Sequence, residues 1–217
     1  MRLAPRNFML GLVISLLASF GAAQVPQFPA FAADVQITNT VGTGSPTEVN
    51  GKIFVGSGHM RVDVMRDGHR TAAITDFATD TVDMLMVDQK MYVEHKGGQV
   101  VRGTPNPQPA VGLKSYDPVN PCSNDLSLTC KKIGVETVSD RPCDHWQITD
   151  KSGKVFNIWI AQKLHFPLKI ASEGSTTVLS NVKEGQPNPS IFRIPPDYEK
   201  LNAQTPSGPT KKSPAKK

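Results

Sequence analysis

The chain has 217 residues, 24 Lys and Arg against 19 Asp and Glu, five His and three Cys. The formal charge of +5 is carried by the ends: with Arg2, Arg6, Lys211, Lys212, Lys216 and Lys217 set aside, 18 basic residues face 19 acidic ones. A near-neutral body has no basic patch for nucleic acid, and its length suits one domain with a proper core.

The first segment reads as an export signal. Arg2 and Arg6 precede an uncharged apolar run, Phe8 to Phe20, and small residues follow at Gly21-Ala22-Ala23 and again at Ala30-Phe31-Ala32. This is the layout of a secretory signal peptide, with an apolar core shorter than the roughly 20 residues that span a bilayer. The expected division is a signal over 1–32, with cleavage after 23 as the alternative, a single domain over 33–203 and a tail over 204–217. The expected location is periplasmic, soluble after cleavage. The tail is Pro, Ser and Lys without an apolar anchor and is expected to be disordered. Its lysines are a candidate for peripheral association with the envelope.

Val35 to Val41 is expected as the first strand and Ile53-Phe54-Val55 as the second, turned by Ser57-Gly58. Met60, Val62 and Val64 alternate with polar residues, the period of a half-buried strand. Asp67-Gly68 is a strong hairpin signal, because both residues tolerate positive φ. With those two as the turn, Met65 faces Arg70 and Val62 faces Ala73. Thr81 to Val87 and Lys90 to His95 pair about Asp88-Gln89, setting Met86 opposite Met91, Met84 opposite Val93 and Val82 opposite His95. One face is then wholly apolar: Val82, Met84, Met86, Met91 and Val93. The other carries Asp83, Leu85, Tyr92 and Glu94. A one-residue slip would exchange the faces.

Gly97 to Pro121, with Pro105, Pro107 and Pro109, reads as a surface excursion with one helical turn near Ala110 to Tyr116. Strands resume over Lys131 to Val138, Asp144 to Thr149 and Lys154 to Ala161. With Ser152-Gly153 as a two-residue turn, Trp146 lies opposite Trp159, a cross-strand aromatic pair. Phe166 to Ala171 and Thr176 to Val182 follow. Asn188 caps a turn that Pro189 starts, and Ile191 to Ile194 extends. Ten or eleven short strands with almost no helical pattern make an all-β antiparallel meander, a barrel or strongly curved sheet.

In an oxidising compartment at least two of Cys122, Cys130 and Cys143 are paired. Three pairings exist; Cys122–Cys130 is the one chosen, because it staples a short polar loop, leaving Cys143 as a buried thiol or an intermolecular partner. His59, His69, His95, His145 and His165 have no metal-ligand spacing, and no nucleophile motif or Cys/His cluster is present. The sequence thus implies no metal, no cofactor and no catalytic residue, and the chain is expected not to be an enzyme.

The closing segment carries a resemblance. Phe166-Pro167-Leu168-Lys169, Leu179-Ser180-Asn181-Val182-Lys183-Glu184-Gly185 and Pro189-Ser190-Ile191-Phe192-Arg193-Ile194-Pro195-Pro196-Asp197-Tyr198 look like the end of a bacterial exported domain of unknown function. That family is similar to the LolA/LolB-like lipoprotein-localisation superfamily. Gly51-Lys52-Ile53-Phe54-Val55, Met60-Arg61-Val62-Asp63 and Gly134-Val135-Glu136-Thr137-Val138 fit the same pattern, so the resemblance spans about Lys52 to Leu201. It implies a half-open barrel whose apolar concavity holds lipid, an acyl chain or a lipoprotein. No lipoprotein-binding residue matches by motif, and little helical pattern is present for a lid. The methionine face of Val82, Met84, Met86, Met91 and Val93 is a candidate apolar ligand wall, since flexible thioethers fit ligands of variable shape; the other reading of the same stripe is ordinary core, which apolar stripes on strands more often are. The alternative is an envelope structural or interaction protein with no small ligand.

Overall fold

The computed structural model describes residues 28–40, 46–96, 117, 119–123 and 125–201. The expected Ala110–Tyr116 turn, most of the Gly97–Pro121 excursion, the apolar signal run and the tail lie outside them. The described chain forms one twelve-stranded sheet, the curved, open all-β architecture expected from the strand pattern. In chain order the strands are β1 (Phe31–Asn39), β2 (Thr47–Gly56), β3 (His59–Arg66), β4 (His69–Asp76), β5 (Thr81–Met86) and β6 (Met91–Lys96). Then come β7 (Thr129–Val138), β8 (Arg141–Thr149), β9 (Val155–Ala161), β10 (Phe166–Ser172), β11 (Ser175–Glu184) and β12 (Glu199–Lys200). The spatial order is β12-β6-β5-β4-β3-β2-β1-β11-β10-β9-β8-β7. All neighbours are antiparallel except β12, which lies parallel to β6.

Tight turns set most registers. Ser57-Gly58 and Asp67-Gly68 both have two positive φ angles, 52° and 74°, 51° and 79°, the conformation that matches strand twist in a two-residue hairpin. The Asp67-Gly68 hairpin has the expected register, Met65 to Arg70 and Val62 to Ala73. The β5–β6 connection is a 3-10 turn over Val87–Gln89 closed by Lys90 in the left-handed region. Its expected register also holds: Met86 meets Met91, Met84 meets Val93 and Val82 meets His95. Asp88 anchors that loop, accepting from the Arg70 backbone N–H and Nε, each at 2.9 Å.

Trp146 and Trp159 are not opposed. Trp146 pairs with Ile158, and Trp159 with His145. The turn is one residue longer than the two-residue form: Asp150 and Lys154 close it, through Asp150 N–H to Lys154 O at 3.0 Å. The Asp150 carboxylate accepts from the Ser152 and Lys154 N–H groups at 2.8 and 3.0 Å, and Gly153 takes φ 82°. A side chain that satisfies the turn's own donors thereby shifts the register by one and places the two indoles on opposite faces.

The main core lies between Phe31, Val35, Ile53, Val55, Met60 and Val62 on one half of the sheet and Cys143, Trp159, Leu164, Phe166, Leu168 and Leu179 on the other. The first strand starts at Phe31, which is fully buried and meets Phe166 edge-on at 5.1 Å. Phe28 packs on Phe77 and Phe166, at 5.6 and 5.2 Å. Asn188 caps the 3-10 turn Pro189–Phe192 as expected, accepting from Ser190 N–H at 3.0 Å; Ile191 belongs to that turn rather than to an extended run.

Candidate functional site

Strand register gives one continuous face. Directly opposed residues form the row Ala33, Ile53, Val62, Ala73, Met84, Val93. The next row is Val35, Gly51, Val64, Thr71, Met86, Met91, and the row on the other side is Phe31, Val55, Met60, Thr75, Val82, His95. All five residues expected to form an apolar wall therefore share a face, and it is the face of the main core. Gly51 sits where a side chain would strike the backbone oxygen of Asp63, so only glycine fits that point of the β2–β3 pair.

Exposure divides this face. Ile53 is 0% and Val62 1% exposed, whereas Val82, Met84, Met86, Met91 and Val93 are all half-buried. None of the five belongs to the buried clusters of the described residues, nor to the partly buried apolar residues packed against them. The opposite face of the same strands is sealed at Leu85, while Asp83, Tyr92 and Glu94 are half-buried there. Leu85 is 1% exposed and clusters with Ala72 and Ile74 under Tyr92, Ile194 and Tyr198. The closing segment is held there by Arg61 Nη1 to Ile191 O at 2.8 Å, by Leu201 N–H to Tyr92 O at 2.8 Å and by Lys90 to Asp197 at 2.9 Å.

Two polar atoms interrupt the wall's end. Thr75 is 7% exposed, and its Oγ1 is buried with no hydrogen-bond partner among the described residues; His95 Nε2 is in the same condition. The sequence places His95 opposite Val82 but does not mark its ring as lacking a partner on that face. Alternation puts Thr75 and His95 each on the apolar face of its own strand, and only the register across β4, β5 and β6 brings them to one row.

Burial is also uneven on the other face. Asp83 faces Glu94 directly across the strands, and burial first, Glu94 second, push the Asp83 carboxyl above its ordinary range. Lys200, 3.1 Å from Glu94, offsets part of that repulsion.

A second polar grouping sits at the far end of the sheet. His145 Nδ1 lies 2.8 Å from Glu136 Oε1, and its Nε2 lies 3.0 Å from Asn157 Oδ1. The ring stacks on Trp159 at 4.2 Å, and Trp159 Nε1 donates to Glu136 Oε2 at 2.8 Å. Lys169 Nζ lies 4.2 Å from the indole centroid. The Trp159 bond first, then His145, hold the Glu136 carboxyl low. Both ring nitrogens of His145 are engaged by protein side chains, and the grouping reads as a cross-strand clamp.

A cleft of about 1020 Å³ lies elsewhere, beside the β1 bulge, with Ala33, Phe54, Ser139, Arg141, Lys163 and Asn181 on its walls. Several of its charges are already paired: Lys52 with Asp34 at 2.7 Å, and Arg141 and Lys163 with Glu184, outside the lining, at 2.7 and 2.9 Å. None of the wall residues lines it. We place the candidate site at the wall because its apolar side chains are half-buried and join no cluster among the described residues, whereas the cleft is lined mostly by polar and charged side chains.

Cys122 and Cys130 form the expected disulfide, with Cα atoms 5.8 Å apart. Cys143 is a free, buried thiol whose pKa burial pushes up to about 11, so it is held as the unreactive thiol. Among the described residues no group of three or more His, Cys, Asp or Glu is arranged for a metal ion, and no helix is long and apolar enough to cross a membrane.

No family model and no curated protein matches the chain. Solved structures do. An uncharacterized conserved protein from Thermus thermophilus superposes with a TM-score of 0.52 at 10% identity, over 80% of this chain and 90% of that one. MucB is similar with a TM-score of 0.49 at 14% identity, over 82% of this chain and 61% of MucB. The LolA superfamily protein NE2245 from Nitrosomonas europaea is similar with a TM-score of 0.37 at 11% identity, over 76% of this chain and 90% of that one. At such identities the superposition on the Thermus protein shows a shared fold.

Proposed function

We propose that this protein is an exported, non-catalytic carrier that holds an apolar ligand, a lipid or acyl chain, against the wall formed by Val82, Met84, Met86, Met91 and Val93. The observation that carries the reading is the contrast across β5. Leu85 is sealed beneath the closing segment, while Met84 and Met86 on the other side are half-buried and join no cluster among the described residues. Apolar side chains in that condition favour an apolar occupant, because covering them removes their surface from water at about 25 cal/mol per Å². Methionine adapts its shape to what it covers. The resemblance of the closing segment points to the same class of ligand.

The test is titration of the purified full chain, stripped of bound lipid on a hydrophobic resin, with a fluorescent fatty acid. Saturable binding at one site, weakened by Met84→Ala, supports the carrier; absence of saturable binding refutes it. Export is part of this reading. Cleavage after Ala23 fits it better than cleavage after Ala32, because Phe28 and Phe31 pack in the core and the later cut would remove both. The mass of the mature protein recovered from the periplasm decides between the two.

A further inference from the structure

The wall ends in polar atoms that the carrier reading does not by itself require. On the row Met60, Thr75, Val82, His95, Thr75 and His95 stand on either side of Val82, two strand spacings or about 9.6 Å from each other. Thr75 Oγ1 and His95 Nε2 are both buried and both without a hydrogen-bond partner among the described residues. Buried polar atoms are almost always paired, and an orphan calls for a specific account. Two orphans from separate strands, on one row and one face, beside a half-buried apolar surface, share one economical account: they bond something that is not part of this chain. The Thr hydroxyl donates, and the imidazole donates in the tautomer protonated at Nε2. Two donors ask for an acceptor oxygen.

We propose that Thr75 and His95 receive the oxygen-bearing head of an acyl chain, its carbonyl or carboxylate oxygens over Val82 and its hydrocarbon along Met84, Val93, Met86 and Met91. From the His95 row to the Met91 row is four residues of β6, about 13 Å of extended strand, all of it apolar on this face. The site has a direction: polar end at Val82, apolar end at the Met86–Met91 pair. This assignment rests on the carrier reading and adds to it the orientation of the ligand and the chemistry of its head.

The experiment displaces an apolar fluorophore from the full chain with lauric acid, methyl laurate and dodecane, in wild type, Thr75→Val, His95→Leu and His95→Gln. The expected result is a roughly tenfold loss of laurate affinity in Thr75→Val and in His95→Leu, the scale of one lost hydrogen bond to a charged group. Dodecane affinity is unchanged, and His95→Gln, which retains a donor, restores much of the loss. Parallel losses for methyl laurate assign the site to esterified lipid as well; losses for laurate alone assign it to free fatty acid. Thr75→Val also raises the melting temperature of the ligand-free protein, since a methyl replaces an unpaired hydroxyl, and this shows that the variant folds. Equal losses for all three ligands, or none for any, overturn the proposal and leave the carrier standing, the two atoms then bonding buried water. Failure of every ligand, dodecane included, to displace the fluorophore overturns the carrier and this assignment together.

Discussion

Ala33, Ile53 and Val62 share a face and a row with Met84 and Val93, yet only the first three are sealed. The difference is in what lies above them. The near end of the row is covered by the other half of the same sheet, with Phe166, Leu168 and Leu179 in one cluster with Ile53 and Val62. The methionine end joins no such cluster among the described residues, although Leu85 on the opposite side of its own strands is covered by Ile194 and Tyr198. Apolar composition thus marks a face that needs a cover, and the cover decides whether that face is core or site.

The comparison breaks most visibly if core and wall respond alike to truncation. Ile53→Ala and Leu85→Ala each remove a fully enclosed side chain and are expected to lower unfolding free energy by about 2–5 kcal/mol. Met86→Ala, two β5 positions from Met84 and half-buried, is expected to cost less than about 1.5 kcal/mol, since less of its surface leaves water on folding. Denaturant unfolding of the three variants checks this; an equal cost for Met86 and its neighbour Leu85 would make the wall ordinary core.

The far end of the sheet sharpens the contrast by a different means of closure. There Cys122, Leu128 and Cys130 pack on Ile148, Ile158 and Ile160, and the disulfide fixes that loop over them. Changing both Cys122 and Cys130 to Ser is expected to cost about 2.5 kcal/mol on the chain-entropy estimate for a loop of that size. Dye binding to exposed apolar surface should rise at the same time. A stability unchanged by the double substitution would mean that packing alone holds the cover.

The smallest expected effect is electrostatic. Asp83 carries a carboxyl raised above 3.8 by burial and by Glu94, so its ionised form opposes folding. That penalty is absent below the unfolded value of 3.8 and grows as pH rises through the folded value. Asp83→Asn is therefore expected to stabilise the protein at neutral pH by about 1 kcal/mol or less, with the gain fading in acid. Melting curves at several pH values check the sign; a gain that grows in acid would contradict it.

Much of the fold is legible in the sequence because short-range chemistry determines it. Asp67-Gly68 dictates a two-residue turn, and the alternation of Met84, Met86, Met91 and Val93 picks out one face. The expected Trp146–Trp159 pairing fails because the Asp150 carboxylate, a side chain outside the assumed turn, satisfies the turn's donors and lengthens it. The short β12 strand escapes sequence reading because two residues carry no period, and its pairing depends on Glu199 N–H reaching Lys90 O at 2.9 Å. The wall is legible as an apolar stripe, but its half-burial depends on how far the other half of the sheet packs along that face, which is a long-range outcome. Thr75 and His95 are invisible as a pair because register across three strands, not spacing along the chain, brings them to one row.

The most direct test of the central claim uses the methionines as reporters. In the full chain labelled at methionine methyl groups, titration with lauric acid is followed by NMR. Met65, 55% exposed on the other face, is the control. Saturable shifts are expected at Met84, Met86 and Met91, with Met65 unmoved. Shifts confined to Met65, or no saturable shift at the three wall methyls, would contradict the claim.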